Sequence, residues 1–133
     1  MATLIDASVL IAVERGALSL DVVAPRYPGD DVAVSAITVS ELLHGVERAK
    51  TSPQRHRRQV FVEELIARLP VVAFDLAVAR VHASLWAALA KRGIVVGERD
   101  LMIGATAIAR DYRVATRDQQ SFAKIPGLSV LLL

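Results

Sequence analysis

The segment TLIDASVLIAV, residues 3–13, decides the fold of this chain. It begins with a short apolar run typical of a buried strand, passes through one acid, Asp6, and continues with a pattern typical of a helix. In an open α/β sheet, the carboxyl ends of the strands and the amino ends of the following helices lie along one edge, where ligands bind. The segment therefore predicts a strand and a helix that hold an acid at a binding edge.

The same order of strand and helix recurs along the chain. Strand-like runs occupy residues 3–5, 32–36, 71–74, 113–116 and 129–133. The helical patterns between them include a predicted hairpin on either side of Ser52 and Pro53, and a long helix from Asp75 that is predicted to direct Trp86 inward. The alternation predicts a single α/β domain over residues 1–133, with a mostly parallel central sheet between two layers of helices. The pattern leaves the strand order open.

The composition is that of a compact protein without a membrane segment. Hydrophobic residues make up 53% of the 133 residues and charged residues 23%, a balance that argues against intrinsic disorder. The mean hydropathy of +0.42 is high, so surplus apolar surface is expected to meet another subunit. The absence of cysteine, and of a basic segment before the first apolar run, predicts a cytoplasmic protein. The net charge of +2 permits nucleic acid as a partner without requiring it.

Four acids each stand where a strand-like run ends or a helical pattern begins. They are Asp6, Glu41, Asp100 and Asp118. Acids that are far apart in sequence can meet at one edge of a parallel sheet, where protons or cations must neutralise their mutual repulsion. Hard divalent ions such as Mg²⁺ and Mn²⁺ take oxygen ligands. The pattern therefore predicts a metal-dependent phosphodiester chemistry at this edge.

Polar and basic residues flank the four acids. Ser8 and Thr116 each stand two residues from an acid, where a hydroxyl is expected to orient a carboxylate or a bound water. Arg99 and Arg117 are each adjacent to an acid and are the expected contacts to a phosphate backbone. Backbone hydrogen bonds and solvated helix faces explain the same four residues without any ligand.

Helix capping offers each acid a role without chemistry, because negative charge suits a helix N-terminus. Residues 38–41 match a capping box, in which Glu41 reaches back to the N-cap amide. Asp100 is placed to cap the helix that it opens, and Asp118 is placed to close an Asx-turn. Asp75 also follows an apolar run and precedes a helix. Position alone therefore does not select the catalytic set.

Four short motifs occur in order along the chain. They are DAS at residues 6–8, ITVSELLHG at 37–45, DLMIGATA at 100–107 and TRDQQSF at 116–122. Together they give the chain a resemblance, over essentially its whole length, to PIN-domain ribonucleases, specifically the VapC-type toxins of toxin-antitoxin pairs. The resemblance leaves Asp75 as a helix cap and implies an acidic site made of Asp6, Glu41, Asp100 and Asp118. Many relatives have another acid where this chain has Ser121, so this half of the site is expected to hold metal weakly.

The resemblance also implies a fold, an activity and partners. The expected fold is a single PIN domain, and the expected activity is a Mg²⁺- or Mn²⁺-dependent endoribonuclease. Metal-activated water would hydrolyse phosphodiester bonds in tRNA, rRNA or mRNA and leave a 5′-phosphate. The expected partners are a VapB-type antitoxin, whose C-terminal segment covers the active-site groove, and a second copy of the chain. We expect both a homodimer, with the helices that bear Val60, Phe61 and Trp86 as candidates for its surface, and a toxin-antitoxin hetero-oligomer.

Three other functions are compatible with parts of the pattern. A PIN nuclease of RNA processing would use the same acids without an antitoxin. A response-regulator receiver domain also gathers acids around Mg²⁺, but it has adjacent acids after its first strand, where this chain has only Asp6. In a non-catalytic binding domain the acids would serve only as helix caps. Neutralising Asp6 or Asp100 would then leave its stability lower or unchanged.

Overall fold

The computed structural model describes residues 2–19 and 31–133. Its strands and helices follow one another in the predicted order. In chain order they are β1 (Thr3–Ile5), α1 (Ala7–Glu14), β2 (Val32–Ser35), α2 (Ala36–Glu47), α3 (Ser52–Arg68), β3 (Val71–Val72), α4 (Leu76–Lys91), α5 (Glu98–Arg110), β4 (Arg113–Thr116) and β5 (Val130–Leu132). A short 3-10 turn, Phe122–Lys124, lies between the last two strands. Across the described ranges, no helix is both long and apolar enough to cross a membrane.

The strands form one sheet in the order β3-β2-β1-β4-β5, and every neighbouring pair is parallel. Strand β1 is central, because Thr3 pairs with Val32 on one side and with Arg113 on the other. The chain runs outward from β1 to β3 and then returns across the sheet to β4. The strand order therefore reverses between β1 and β4. Such a reversal opens a crevice at the carboxyl ends of the two strands, where ligands bind in open α/β sheets.

Helices cover both faces of the sheet, which confirms the predicted three layers. Side chains alternate along a strand, so Leu4 packs in one core with Ile103 of α5, whereas Ile5 packs in the other core with Val9 of α1 and Val62 of α3. Both Leu4 and Ile5 are fully buried. Burial on both faces explains why the central strands read as continuous apolar runs.

The start of α2 differs from the prediction. Ser35 ends β2 and caps the helix, because its Oγ accepts a hydrogen bond from the amide of Thr38 at 3.0 Å. The capping box predicted over residues 38–41 is therefore wrong, since Ser35 already serves the first turn. Glu41 lies one turn further along the helix. It is available for a role other than capping.

The start of α5 also lies earlier than predicted. Gly97 occupies the N-cap position without a side-chain hydrogen bond, and the helix begins at Glu98. Asp100 lies within the first turn, where its charge suits the helix N-terminus, but it is not the cap. The prediction that Asp100 opens the helix as its cap is wrong.

Helix α4 confirms one prediction and corrects another. Asp75 is its N-cap and accepts a hydrogen bond from the amide of Val78 at 3.1 Å. Trp86, predicted to face inward, is 62% exposed. It lies about 80° around the helix from Val78, at roughly 100° per residue. That angle places Trp86 outside the stripe that Val78 and Leu89 bury.

Candidate active site

The predicted acids surround the crevice at the centre of the sheet. Asp6 follows β1 and Asp118 follows β4, so they stand at the carboxyl ends of adjacent parallel strands. Glu41 comes from α2, and Asp100 comes from the first turn of α5. The charges of Asp6 and Asp100 act on Glu41, and the charge of Asp118 acts on Asp100. The fold therefore brings all four carboxylates into one neighbourhood.

Asp6 is held by hydroxyls from two elements. It is only 6% exposed, and its Oδ2 accepts hydrogen bonds from Ser8 Oγ at 2.7 Å and from Thr116 Oγ1 at 3.0 Å. The amides of Arg117 and Asp118 donate to these hydroxyl oxygens at 3.1 Å and 3.0 Å, which directs both hydroxyl protons toward Asp6. One oxygen of Asp6 is thus fixed. The hydrogen bonds of the described residues leave its Oδ1 open to a ligand.

Glu41 is the least satisfied carboxylate of the crevice. Burial, with a smaller contribution from the charges of Asp6 and Asp100, raises its pKa from 4.5 to about 7. The guanidinium of Arg99 opposes this rise. Glu41 Oε1 is buried and accepts no hydrogen bond from the described residues. Because a buried oxygen without a donor costs free energy, a proton or a cation at this atom stabilises the site.

Asp100 responds to similar neighbours. Burial raises its pKa, and the charges of Asp6 and Asp118 contribute to the rise. A hydrogen bond from Ser121 and the charge of Arg99 act in the opposite direction. Ser121 Oγ also donates to Asp118 Oδ2 at 2.9 Å, and one hydroxyl proton serves only one carboxylate at a time. We assign the proton to Asp118, which leaves Asp100 in need of another positive partner.

The pKa of Asp118 is shifted in the direction opposite to that of Glu41. Its Oδ1 accepts hydrogen bonds from the amides of Gln120 at 2.9 Å and Ser121 at 3.2 Å, which confirms the predicted Asx-turn. These amides lower the pKa of Asp118, and the Ser121 hydroxyl and the charge of Lys124 lower it further. Asp118 is therefore ionised and satisfied by its own turn.

The donor set fits a hard divalent cation. Within residues 2–19 and 31–133, no group of three His, Asp or Glu side chains lies close enough to hold a metal ion. The crevice nevertheless offers several carboxylate oxygens, one of them buried without a partner. A shared cation removes the repulsion that raises the pKa values of Glu41 and Asp100. The acids have to draw closer together to coordinate such an ion.

A groove of about 720 Å³ extends from Glu41 between α1 and the hairpin formed by α2 and α3. Glu41 and Arg99 line it at the crevice. Among the described residues, the cationic side chains that line it are Arg15, His44, Arg48, Lys50, Arg58 and Arg99, with the histidine cationic only when protonated. Its carboxylates are Glu14 and Glu41. The excess of positive charge favours binding of an anionic polymer along the groove toward the acids.

A family model described as "PIN domain" matches residues 3–128. The chain belongs to the PIN-domain family. "Ribonuclease VapC" of Rickettsia bellii is 34% identical over 131 residues, which cover 98% of this chain and 96% of that protein. "tRNA(fMet)-specific endonuclease VapC" of Salmonella typhimurium is 34% identical over 99 residues, which cover 74% of this chain and 73% of that protein. In the crystal structure of VapBC-5 from Mycobacterium tuberculosis, a toxin-antitoxin system, a 32% identical chain matches with a TM-score of 0.79 and coverage of 99% and 97%.

The PIN sheet separates the four acids from Asp75 and excludes one rival. Asp75 lies at the end of the edge strand β3 and forms an ion pair with Arg110. Receiver domains have the strand order 2-1-3-4-5, whereas the order here is 3-2-1-4-5. The receiver alternative is therefore wrong.

The predicted neighbours take different positions around the PIN crevice. Ser8 and Thr116 contact Asp6 directly. Arg99 acts electrostatically on two of the acids and lines the groove. Arg117 is exposed, and its described contact is the backbone hydrogen bond to Ser8. Both hydroxyls thus have the predicted orienting contact, and both arginines border the site.

Sequence reasoning missed three contributors to this PIN site. Arg15 and Arg48 line the groove, and Ser121 donates to Asp118. A signal for Arg48 was present, because it follows Glu41 by seven residues and therefore shares its face of the helix. The hydrogen bond of Ser121 depends on the shape of the turn after β4, which has no comparable periodic signal.

Proposed function

We propose that this protein is a metal-dependent endoribonuclease and the toxin of a type II toxin-antitoxin pair. The observation that carries the proposal is the meeting of Asp6, Glu41, Asp100 and Asp118 at the central crevice of a PIN sheet. A relative that aligns with nearly the whole chain is named a ribonuclease, and a solved relative belongs to a toxin-antitoxin complex. A PIN nuclease of RNA processing would use the same acids. The presence of an antitoxin distinguishes the two.

Asp6, Glu41 and Asp100 would hold a divalent cation, Mg²⁺ or Mn²⁺, with Asp118 beside them. When bound, such an ion lowers the pKa of a water and neutralises charge on the phosphate. The unpartnered Oε1 of Glu41 supports this role, because it is a hard oxygen that lacks a donor. The raised pKa values of Glu41 and Asp100 support it too, since a cation relieves the repulsion that contributes to both.

Other side chains of the crevice orient the acids and the phosphate. The hydroxyls of Ser8 and Thr116 hold Asp6 by one oxygen and leave the other free to bind. Arg99 already acts on two of the acids, so its guanidinium is placed to bind the phosphate that is cleaved. Arg117, exposed after β4, is the second phosphate contact that we propose. Attack by water in line with the leaving oxygen releases a 3′-hydroxyl and leaves a 5′-phosphate.

The groove is the proposed path of the RNA backbone. Its excess of Arg and Lys over carboxylates supports this path, because contacts from cationic side chains to phosphates supply most non-specific affinity for nucleic acids. The Salmonella relative is named a tRNA(fMet)-specific endonuclease. We therefore propose structured RNA, with tRNA first, as the substrate class.

The same groove is the proposed binding site of a VapB-type antitoxin. Apolar side chains of Ile11, Leu42 and Phe61 line it beside the charges. A peptide with apolar side chains and one basic residue would fill this surface and neutralise the acids. Antitoxin and RNA would then compete for one site. We propose that the toxin, inhibited in this way, acts in the cytoplasm.

A homodimer is the proposed assembly of the toxin. Of the residues expected at the dimer surface, Val60 and Trp86 are exposed, whereas Phe61 lines the groove. Leu76 and Val95 are also exposed, at 67% and 81%. Exposed apolar side chains of this size support a contact with a second subunit.

The proposal is tested by incubating the purified protein with total cellular RNA in EDTA, in Mg²⁺ and in Mn²⁺. Asp100→Asn is the inactive variant, and Asp75→Asn is the matched control outside the crevice. We expect cleavage by the wild type and the control only when a divalent ion is present, with 5′-phosphate ends on the fragments. Cleavage by Asp100→Asn, or cleavage by the wild type in EDTA, would contradict the mechanism.

A further inference from the structure

Ser121 divides the acids of the crevice into two classes. Its hydroxyl donates to Asp118 Oδ2 at 2.9 Å, and its amide donates to Asp118 Oδ1 at 3.2 Å. The amide of Gln120 adds a second bond to Oδ1 at 2.9 Å. Both oxygens of Asp118 therefore accept hydrogen bonds from donors of its own turn. We call a carboxylate in this state closed.

The other three acids remain open. The described hydrogen bonds of the Asp6 side chain all end on Oδ2. Glu41 Oε1 is buried and has no partner in the described part of the chain. Asp100 shares the hydroxyl of Ser121 with Asp118, although that hydroxyl has a single proton. These three carboxylates thus offer oxygens to a cation once the acids draw closer together.

We infer that Ser121 is a positioning residue that keeps Asp118 closed, so that a divalent cation is bound by Asp6, Glu41 and Asp100 and only indirectly by Asp118. The inference rests on the metal site proposed above. It assigns to Ser121 the role of a neutral donor that stabilises Asp118 when no ion is bound. Direct binding of the ion to Asp118 Oδ2 would compete with the hydrogen bond from Ser121 for the electron density of that oxygen.

The inference gives Ser121→Ala an unusual expected effect. Removal of the hydroxyl opens Asp118 Oδ2 and leaves the charge of Asp118 less well stabilised in the metal-free protein. Both changes favour the metal-bound state over the metal-free state. A hydrogen bond to a charged group is worth enough to predict Mn²⁺ binding at least about threefold tighter than in the wild type.

The experiment is calorimetric titration of Mn²⁺ into the wild type, Ser121→Ala, Ser121→Thr, Asp118→Asn, Asp100→Asn and the double variant Ser121→Ala with Asp118→Asn. Ser121→Thr keeps a hydroxyl and is expected to bind like the wild type. Asp118→Asn keeps an acceptor for the Asx-turn and is expected to weaken binding much less than Asp100→Asn. In the double variant, loss of the Asp118 charge is expected to abolish the gain caused by Ser121→Ala. Thermal unfolding in EDTA checks that each variant is folded and is expected to show a lower midpoint for Ser121→Ala.

The outcomes separate this inference from the proposed function. Tight Mn²⁺ binding by the wild type with equal or weaker binding by Ser121→Ala overturns the inference and leaves the metal site standing. An effect of Asp118→Asn as large as that of Asp100→Asn also overturns it, even where Ser121→Ala does not fold. Absence of Mn²⁺ binding by the wild type overturns the metal site and the inference together.

Discussion

Asp6 and Asp75 are placed alike in the sequence and differently in the molecule. Each follows a strand, and each is the N-cap of the next helix. Asp6 follows the central strand, is 6% exposed and faces the charges of other acids. Asp75 follows the edge strand β3, and its half-exposed side chain is neutralised by Arg110. The place of the strand in the sheet, and not the local pattern, decides which acid joins the crevice.

The difference is one of charge balance. Asp75 has its counter-ion within the protein, so it needs no ligand. The acids at the centre depend chiefly on hydroxyls, one arginine and a raised pKa to limit their repulsion. The central group therefore has an incomplete charge balance that a divalent cation completes.

The largest expected difference between the two positions is in RNA cleavage. Asp6→Asn removes a charge from the crevice and is expected to lower the rate at least about 1000-fold, the loss expected when a metal-binding group fails. Asp75→Asn keeps an N-cap acceptor and is expected to cleave at nearly the wild-type rate. Single-turnover rates with Mn²⁺ on one labelled RNA check both. Comparable losses in the two variants would erase the distinction.

The next expected difference extends the comparison to arginines. Arg48 lines the groove, whereas Arg57 is exposed on α3 outside the groove lining. Arg48→Ala is expected to weaken RNA binding about threefold to tenfold and to reduce its salt dependence, and Arg57→Ala is expected to do neither. Fluorescence anisotropy in EDTA, at several salt concentrations, measures both quantities. Equal losses would show that RNA does not follow the groove.

In the metal-free protein, replacement of Asp75 and replacement of Asp100 are expected to change the free energy of unfolding in opposite directions. Asp75→Ala removes a helix cap and an ion pair and is expected to lower the free energy of unfolding by about 1 kcal/mol. Asp100→Asn relieves repulsion in the crevice and is expected to raise it. Urea unfolding in EDTA provides the measurement. A loss of stability in Asp100→Asn would contradict the inferred repulsion among the acids of the crevice.

The smallest expected effect is a dependence of folding stability on pH that arises in the crevice alone. The pKa of Glu41 is about 7 in the folded protein against an ordinary 4.5, so between these values the folded state keeps a proton that the unfolded chain has released. The contribution of Glu41 to stability therefore falls as pH rises through this range. Unfolding in EDTA is expected to show a larger fall in the wild type than in Glu41→Gln, in which the raised pKa of Asp100 still contributes. Mn²⁺ binding is expected to strengthen over the same range, because the ion replaces the proton.

The sequence predicted those features that depend on local or periodic patterns. The five strands, the helical hairpin, the cap at Asp75 and the Asx-turn at Asp118 were all confirmed. The cap of α2 was assigned to the wrong residue, because Ser35 and Thr38 both stand three residues before a plausible partner. The pairing of Ser35 with Val72, which makes Ser35 the last residue of β2 and decides between them, is a tertiary property.

Features that depend on long-range contacts lay beyond the sequence pattern. The strand order, which separates Asp75 from Asp6, results from a chain reversal that no local signal records. The residue motifs selected the set of four acids only through resemblance to a family. The position of the Ser121 hydroxyl between two carboxylates depends on the conformation of one turn. The family motif therefore showed that the residue type differs at position 121, but not which contact the serine makes.

The most direct test of the central claim is calorimetric titration of Mn²⁺ into the wild type, Asp6→Asn and Asp75→Asn under one set of conditions. The claim is that the acids at the centre of the sheet form a single cation site, from which Asp75 is excluded. We expect the wild type and Asp75→Asn to bind Mn²⁺ with the same affinity and Asp6→Asn to bind at least about 100-fold more weakly. Equal binding by all three proteins, or a comparable loss in Asp75→Asn, would contradict the claim.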